Sequence, residues 1–75
     1  MSARQAAKPQ SRTLYAAQLA WLVAQVECAE ALWTWFESGV RHRAAANAAY
    51  RASLDREEAA ARELQRLSAF IARTA

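Results

Sequence analysis

The feature that most constrains this fold is a run of apolar side chains at alternating spacings of four and three residues. This run, here named the first stripe, comprises Tyr15, Leu19, Leu22, Val26, Ala29, Trp33, Phe36 and Val40. Because the mean spacing is about 3.5 residues, these side chains fall on one side of an α-helix, as in a coiled coil. Such a helix needs another helix against which to bury the stripe. The pattern predicts an all-α, coiled-coil-like fold.

A second stripe lies beside the first on the same predicted helix. It comprises Leu14, Trp21, Cys28 and Trp35 at spacings of seven, with Gln18, Gln25 and Leu32 between them. Together the two stripes cover more than half of the helix circumference, which is more than a helix buries against one neighbour. We expect the first stripe to pack within the chain. Leu14, Trp21, Cys28, Leu32 and Trp35 are then the candidates for binding a partner.

The composition leaves little room for strands. The 75 residues include one glycine, one proline and no Asn-Gly or Asp-Gly step, whereas tight β-hairpins depend on such residues. We predict a flexible basic arm over residues 1–11, followed by an antiparallel helical hairpin over residues 12–75. Its first helix spans about residues 12–38, its turn residues 39–42 and its second helix residues 43–74. Ser11 or Thr13 is expected to cap the first helix.

The second predicted helix carries one apolar face. The side chains expected to meet the first stripe are Tyr50, Leu54, Ala61, Leu64, Leu67 and Ile71. Glu57 interrupts this face, and an antiparallel hairpin brings it near Trp21 and Gln25, whose N–H groups can donate hydrogen bonds to a carboxylate. We interpret Glu57 as a candidate for fixing the register of the helices or the choice of partner.

The segment Ser38-Gly39-Val40 is the predicted turn. It matches a Schellman ending, in which Gly39 adopts the left-handed conformation and Val40 folds back against Trp35. The alternative is one continuous helix of about 60 residues, because a lone glycine costs only ~1 kcal/mol in a helix interior. Charge favours the hairpin: residues 13–40 carry three glutamates and no basic residue, while residues 41–75 carry seven arginines against four acids.

Catalytic and metal chemistry are not predicted. Cys28 and His42 are 14 residues apart, which is about 21 Å along a continuous helix, and in a hairpin His42 sits at the turn. A nucleophile and its base must approach to about 3 Å. One cysteine and one histidine are also too few ligands for a zinc site. We therefore expect no enzyme activity, no cofactor and no metal.

The sequence also bears on location. The longest uncharged run, residues 13–26, has 14 residues, fewer than the roughly 20 apolar residues that span a bilayer. A single cysteine cannot form an intrachain disulfide, and no secretory signal is recognisable. The sequence therefore predicts a cytoplasmic protein without a transmembrane segment.

Two helices alone enclose no interior, so we predict a homo-oligomer or an obligate subunit. The predicted function is a non-catalytic helical module for protein–protein interaction or assembly, as a small structural or accessory subunit. The alternative is a small helical chaperone or adaptor that masks a client helix, for example in a secretion-type apparatus. A lesser alternative is a weak nucleic-acid binder, since the net charge is +3 and residues 41–43 form a basic cluster.

Overall fold

The computed structural model describes residues 9–74 and, for side chains, residues 12–74. The chain forms helix α1 (Pro9–Glu37), a 3₁₀ turn (Val40–His42) and helix α2 (Arg43–Thr74). The two helices pack against each other, and the described residues contain no strand. The predicted all-α helical hairpin is confirmed, and the alternative of one continuous helix is wrong. Residues 1–8 of the predicted basic arm lie outside the described residues.

Both predicted N-caps of the first helix are misplaced. Ser11 and Thr13 lie inside α1, because the helix already includes Pro9. Residues 9–11, which the prediction assigns to the arm, are therefore part of α1.

The turn forms where predicted, by a different mechanism. Gly39 is extended, with φ −78° and ψ 173°, and it does not adopt the left-handed conformation. The Ser38 backbone N–H donates to the Trp35 carbonyl at 3.2 Å, and the Ser38 hydroxyl donates to the same oxygen at 2.7 Å. Because Ser38 already satisfies this carbonyl, the helix end needs no left-handed glycine. Val40 is 85% exposed and does not fold back against Trp35.

The hairpin is a single layer of two helices. Its principal extents are 58 × 26 × 12 Å, and the smallest is about the diameter of one helix. The radius of gyration is 17.2 Å, against about 11 Å for a compact domain of this length. Among the described residues each helix therefore has one neighbour, and only the face between the helices is buried.

That face, here named the seam, has its own heptad spacing on both helices. On α1 it comprises Leu14, Ala17, Trp21, Ala24, Cys28, Ala31 and Trp35, and on α2 Ala46, Tyr50, Ser53, Glu57, Ala60, Leu64, Leu67 and Ile71. All of these residues are buried or half-buried. Large and small side chains alternate along α1, so each indole has a neighbouring alanine that lets the helices approach closely.

The assignment of the two stripes is reversed relative to the prediction. The first-stripe side chains expected to pack within the chain, Tyr15, Leu19, Leu22, Val26, Trp33 and Phe36, are 49–76% exposed. The large side chains of the second stripe at spacings of seven, expected to face a partner, instead pack against α2: Leu14, Trp21, Cys28 and Trp35 are half-buried, whereas Gln18 and Gln25 are exposed. Leu54 is also wrongly placed by the prediction, because it is 41% exposed, whereas Tyr50, Leu64 and Ile71 lie in the seam.

The physical reason lies in the alanines. Ala17, Ala24 and Ala31 occupy every intervening seam position of α1, and Ala17 and Ala24 are buried. A face of this kind brings two backbones closer than the first stripe can, because the first stripe has large side chains at nearly every position. The close approach also places polar groups of the two helices within hydrogen-bond distance of each other, as described below.

Candidate interaction surface

A hydrogen bond near the middle of the seam joins the two helices. Trp21 Nε1 donates to Glu57 Oε2 at 2.7 Å, and both side chains are half-buried. An indole N–H can only donate and a carboxylate can only accept, so the two groups are complementary. A slip of α2 by one heptad would put Tyr50 or Leu64 in place of Glu57 and break this bond. The contact thus distinguishes the native register from its nearest alternatives.

Three further contacts lie in the seam between its middle and the turn. Cys28 Sγ donates to the Ser53 carbonyl at 3.1 Å, and the Ser53 hydroxyl donates to the Tyr50 carbonyl at 2.6 Å. Ser53 is only 1% exposed, and bonding to its own helix lets this hydroxyl be buried with its hydrogen bond satisfied. The rings of Trp35 and Tyr50 pack with centroids 5.6 Å apart at an interplanar angle of 30°.

Ion pairs lie on the exposed edges of the hairpin. Arg56 bridges to Glu27 of α1 at 3.9 Å, while Glu58–Arg62 lies within α2 at 3.2 Å. Arg66 makes two hydrogen bonds to Glu63, at 3.0 and 2.7 Å. The hydrogen bonds from Arg66 lower the pKa of the Glu63 carboxyl, and the same contact raises the pKa of Arg66. These pairs are solvent-exposed and add little stability individually.

The exposed first stripe is the candidate interaction surface. It runs from Tyr15 to Phe36, or about 32 Å along α1 at 1.5 Å per residue. Val23, also exposed, borders it. A shallow groove of about 370 Å³ lies at its centre, lined by Leu22, Val23, Val26, Glu27 and Glu30. Contiguous exposed apolar surface of this kind marks a protein or membrane interaction site.

Helix α2 offers no comparable surface among its described residues. Its large exposed hydrophobic side chains are Leu54 and Phe70, at 41% and 43% exposure. These two lie more than four helical turns apart, and charged residues lie between them. The apolar surface of the hairpin therefore belongs to α1.

The residues predicted to bind a partner do not form an open surface. Leu14, Trp21, Cys28, Leu32 and Trp35 are all half-buried, four of them in the seam. The signal that could have revealed this was the alanine between each pair of large residues, at positions 17, 24 and 31. The second stripe as predicted instead takes Gln18, Gln25 and Leu32 as the intervening positions, and each lies one residue further along the helix.

Two open grooves lie near the turn, where Arg41, His42 and Arg43 are exposed. An open groove of about 500 Å³ is lined by Thr34, Glu37, Ser38, His42, Ala45 and Ala46, while Arg43 lines a neighbouring groove with Trp35 and Phe36. Across residues 9–74, no three histidine, cysteine or acidic side chains gather as a potential metal site. Neither described helix combines the length and apolarity that crossing a bilayer requires.

Known protein families, characterised proteins and solved structures were each compared with this chain, and none gave a match.

Proposed function

We propose that this chain is a non-catalytic helical module that assembles with protein through the first stripe of α1. The observation that supports this proposal is the contrast between the stripe and the core. Six large hydrophobic side chains of the stripe are about half exposed or more, while the buried residues of the described chain are Ala17, Ala24 and Ser53. A helical hairpin that keeps its largest side chains outside has a surface suited to burial against another protein.

The size of the exposed surface makes this burial energetically significant. At about 150–250 Å² per aromatic side chain, the exposed parts of Tyr15, Trp33 and Phe36 amount to roughly 400 Å². At ~25 cal/mol per Å², burying that area contributes up to about 10 kcal/mol before the costs of association. This is comparable to the whole stability of a typical domain, about 5–15 kcal/mol.

The stripe is separable from the seam, which makes the proposal testable. The contacts that join the helices, from Trp21–Glu57 to Trp35–Tyr50, involve no residue of the first stripe. Substitutions in the stripe are therefore expected to change assembly while the hairpin stays folded.

The chaperone or adaptor alternative would use the same surface. A client helix could lie along the stripe, with a side chain in the groove at Leu22 and Val26. Neither function is tested by substituting the predicted partner-binding residues Trp21 and Trp35, because both residues hold the hairpin together. The nucleic-acid alternative has less support, since Arg56, Arg62 and Arg66 of α2 are paired with carboxylates.

The test is the mass of the purified protein over a wide concentration range, measured by sedimentation velocity and light scattering. We expect the wild type to form a defined assembly and Leu22→Glu to remove it, with helical circular dichroism retained. Leu54→Glu is the matched control, because Leu54 is similarly exposed on α2, and it should assemble normally. A wild-type monomer that is folded and melts cooperatively would contradict the proposal.

A further inference from the structure

We infer that the first stripe binds the first stripe of a second copy of this chain, with the two α1 helices antiparallel and the two α2 helices outside. This inference rests on the proposed function and adds the partner and its orientation. A two-fold axis uses the same surface on both copies, so a self-complementary patch is sufficient. Area, shape and charge each favour this occupant.

The available area reaches the range of specific interfaces. The three aromatic side chains of the stripe expose roughly 400 Å² per copy. The half-exposed Leu19, Leu22 and Val26 raise this to roughly 550 Å². Two copies would bury up to about 1,100 Å², which reaches the ~1,000 Å² that separates specific interfaces from casual contacts.

The distribution of side-chain size along the stripe favours the antiparallel arrangement. The bulky pair Trp33 and Phe36 lies at one end, and the smallest member, Ala29, lies beside it. A parallel dimer would stack each bulky residue on its own copy and set alanine against alanine, which leaves a gap in one layer and crowding in the next.

An antiparallel dimer with its axis between Leu22 and Val26 avoids this mismatch. Leu22 of one copy then faces Val26 of the other. Likewise, Leu19 faces Ala29 of the second copy, and Tyr15 faces Trp33 of the second copy. The axis passes through the central groove, which can receive the Leu22 side chain of the second copy as a knob in a hole.

Charge gives an independent argument for the same orientation. Arg12 is exposed and occupies the stripe position one heptad before Leu19. In the antiparallel dimer it lies beside Phe36 and Glu37 of the second copy, where its guanidinium meets an aromatic face and a carboxylate. A parallel dimer would place Arg12 against Arg12. It would also bring together the two basic turns, whose Arg41, His42 and Arg43 are all exposed.

Disulfide formation between copies tests the orientation. In a Cys28→Ala background, Leu19→Cys and Ala29→Cys proteins are prepared separately, mixed and oxidised. The mixture should give a covalent heterodimer, because these positions face each other across the axis. Either protein alone should give none, since two copies of position 19 lie about 15 Å apart, beyond the ~7 Å Cα separation that a disulfide permits.

A charge exchange provides a second test that does not depend on thiol chemistry. Arg12→Glu should weaken dimerisation by roughly 3- to 30-fold, because the two-fold axis repeats the loss at both ends of the interface. Adding Glu37→Arg to the same chain should restore most of the affinity. Glu30→Arg in place of Glu37→Arg is the control, and it should restore less because residue 30 lies two turns away from Arg12 of the second copy.

The outcomes separate this inference from the proposed function. Suppose that assembly depends on Leu22. If each cysteine variant then forms a disulfide with itself, or if Glu37→Arg does not rescue Arg12→Glu, the antiparallel dimer is wrong while the proposed function stands. If the protein stays a folded monomer, or assembles equally well as Leu22→Glu, both are wrong.

Discussion

The two stripes of α1 invite comparison because both have heptad spacing and only one lies inside the hairpin. The first stripe has large side chains at nearly every position and faces solvent. The seam alternates Leu14, Trp21, Cys28 and Trp35 with alanines, and it faces α2. The difference shows that regular hydrophobic spacing identifies a helix face that can be buried, but not its partner. Close approach and matched polar groups select the partner.

The largest expected difference in stability is between two single tryptophan substitutions, one in each stripe. Trp21→Ala should lower the free energy of unfolding by about 3 kcal/mol, since it opens a cavity in the seam and leaves Glu57 without its donor. Trp33→Ala should change hairpin stability by less than about 0.5 kcal/mol, because its side chain is 64% exposed. Urea denaturation at concentrations that keep the protein monomeric measures both.

Equal destabilisation by the two tryptophan substitutions would mean that the first stripe belongs to the intrachain core. Thermal denaturation of Trp33→Ala at high protein concentration tests the role of the first stripe in association. There the variant should be less stable than the wild type, because association stabilises the folded state by mass action.

The alanines of the seam give the second test. Ala24→Leu should cost about 1–3 kcal/mol, because Ala24 is 6% exposed and the larger side chain forces the helices apart. Ala20→Leu is the matched control on the exposed surface of the same helix, and it should be near neutral. Thermal denaturation followed by circular dichroism compares the two. A neutral Ala24→Leu would mean that close helix approach does not select the seam.

Glu57 tests whether polar matching sets the register. Replacing it with leucine removes the bond to Trp21 and adds apolar surface, so the free energy of unfolding should change by only about 1 kcal/mol in either direction. The specificity of the fold should fall instead, giving more than one Trp21 indole N–H signal in the NMR spectrum. Glu57→Gln keeps an acceptor and should give one signal. A Glu57→Leu protein that is more stable, with a single set of signals, would contradict the register role.

Several features of the fold follow from local sequence signals. The 3.5-residue spacing and the near absence of glycine and proline predict two helices, and the single Ser38-Gly39 step places the turn. The proximity of Trp21 and Glu57 follows from folding an antiparallel hairpin about that step.

The orientation of α1 could not be predicted in the same way. A rotation of the helix by less than half a turn exchanges the two stripes, and both satisfy the heptad rule. Because alanine adds little hydrophobicity, weighing side chains by size favours the wrong face. The residues that indicate the buried face are Ala17, Ala24 and Ala31, because they allow the two helices to pack closely.

Gly39 gives the smallest expected effect and tests whether the turn helps to choose the seam. In a Schellman ending, alanine at this position would be strained by the left-handed backbone. In the observed extended conformation a Cβ meets nothing within 4 Å, so Gly39→Ala should raise the free energy of unfolding by about 0.4–1 kcal/mol by restricting the unfolded chain. Chemical denaturation measures the sign of the change in the free energy of unfolding.

A stabilised variant with an unchanged Trp21–Glu57 contact means that the turn does not need the extra backbone freedom of glycine. The choice between the two stripes then depends on the helices themselves. Destabilisation would instead make the turn part of that choice.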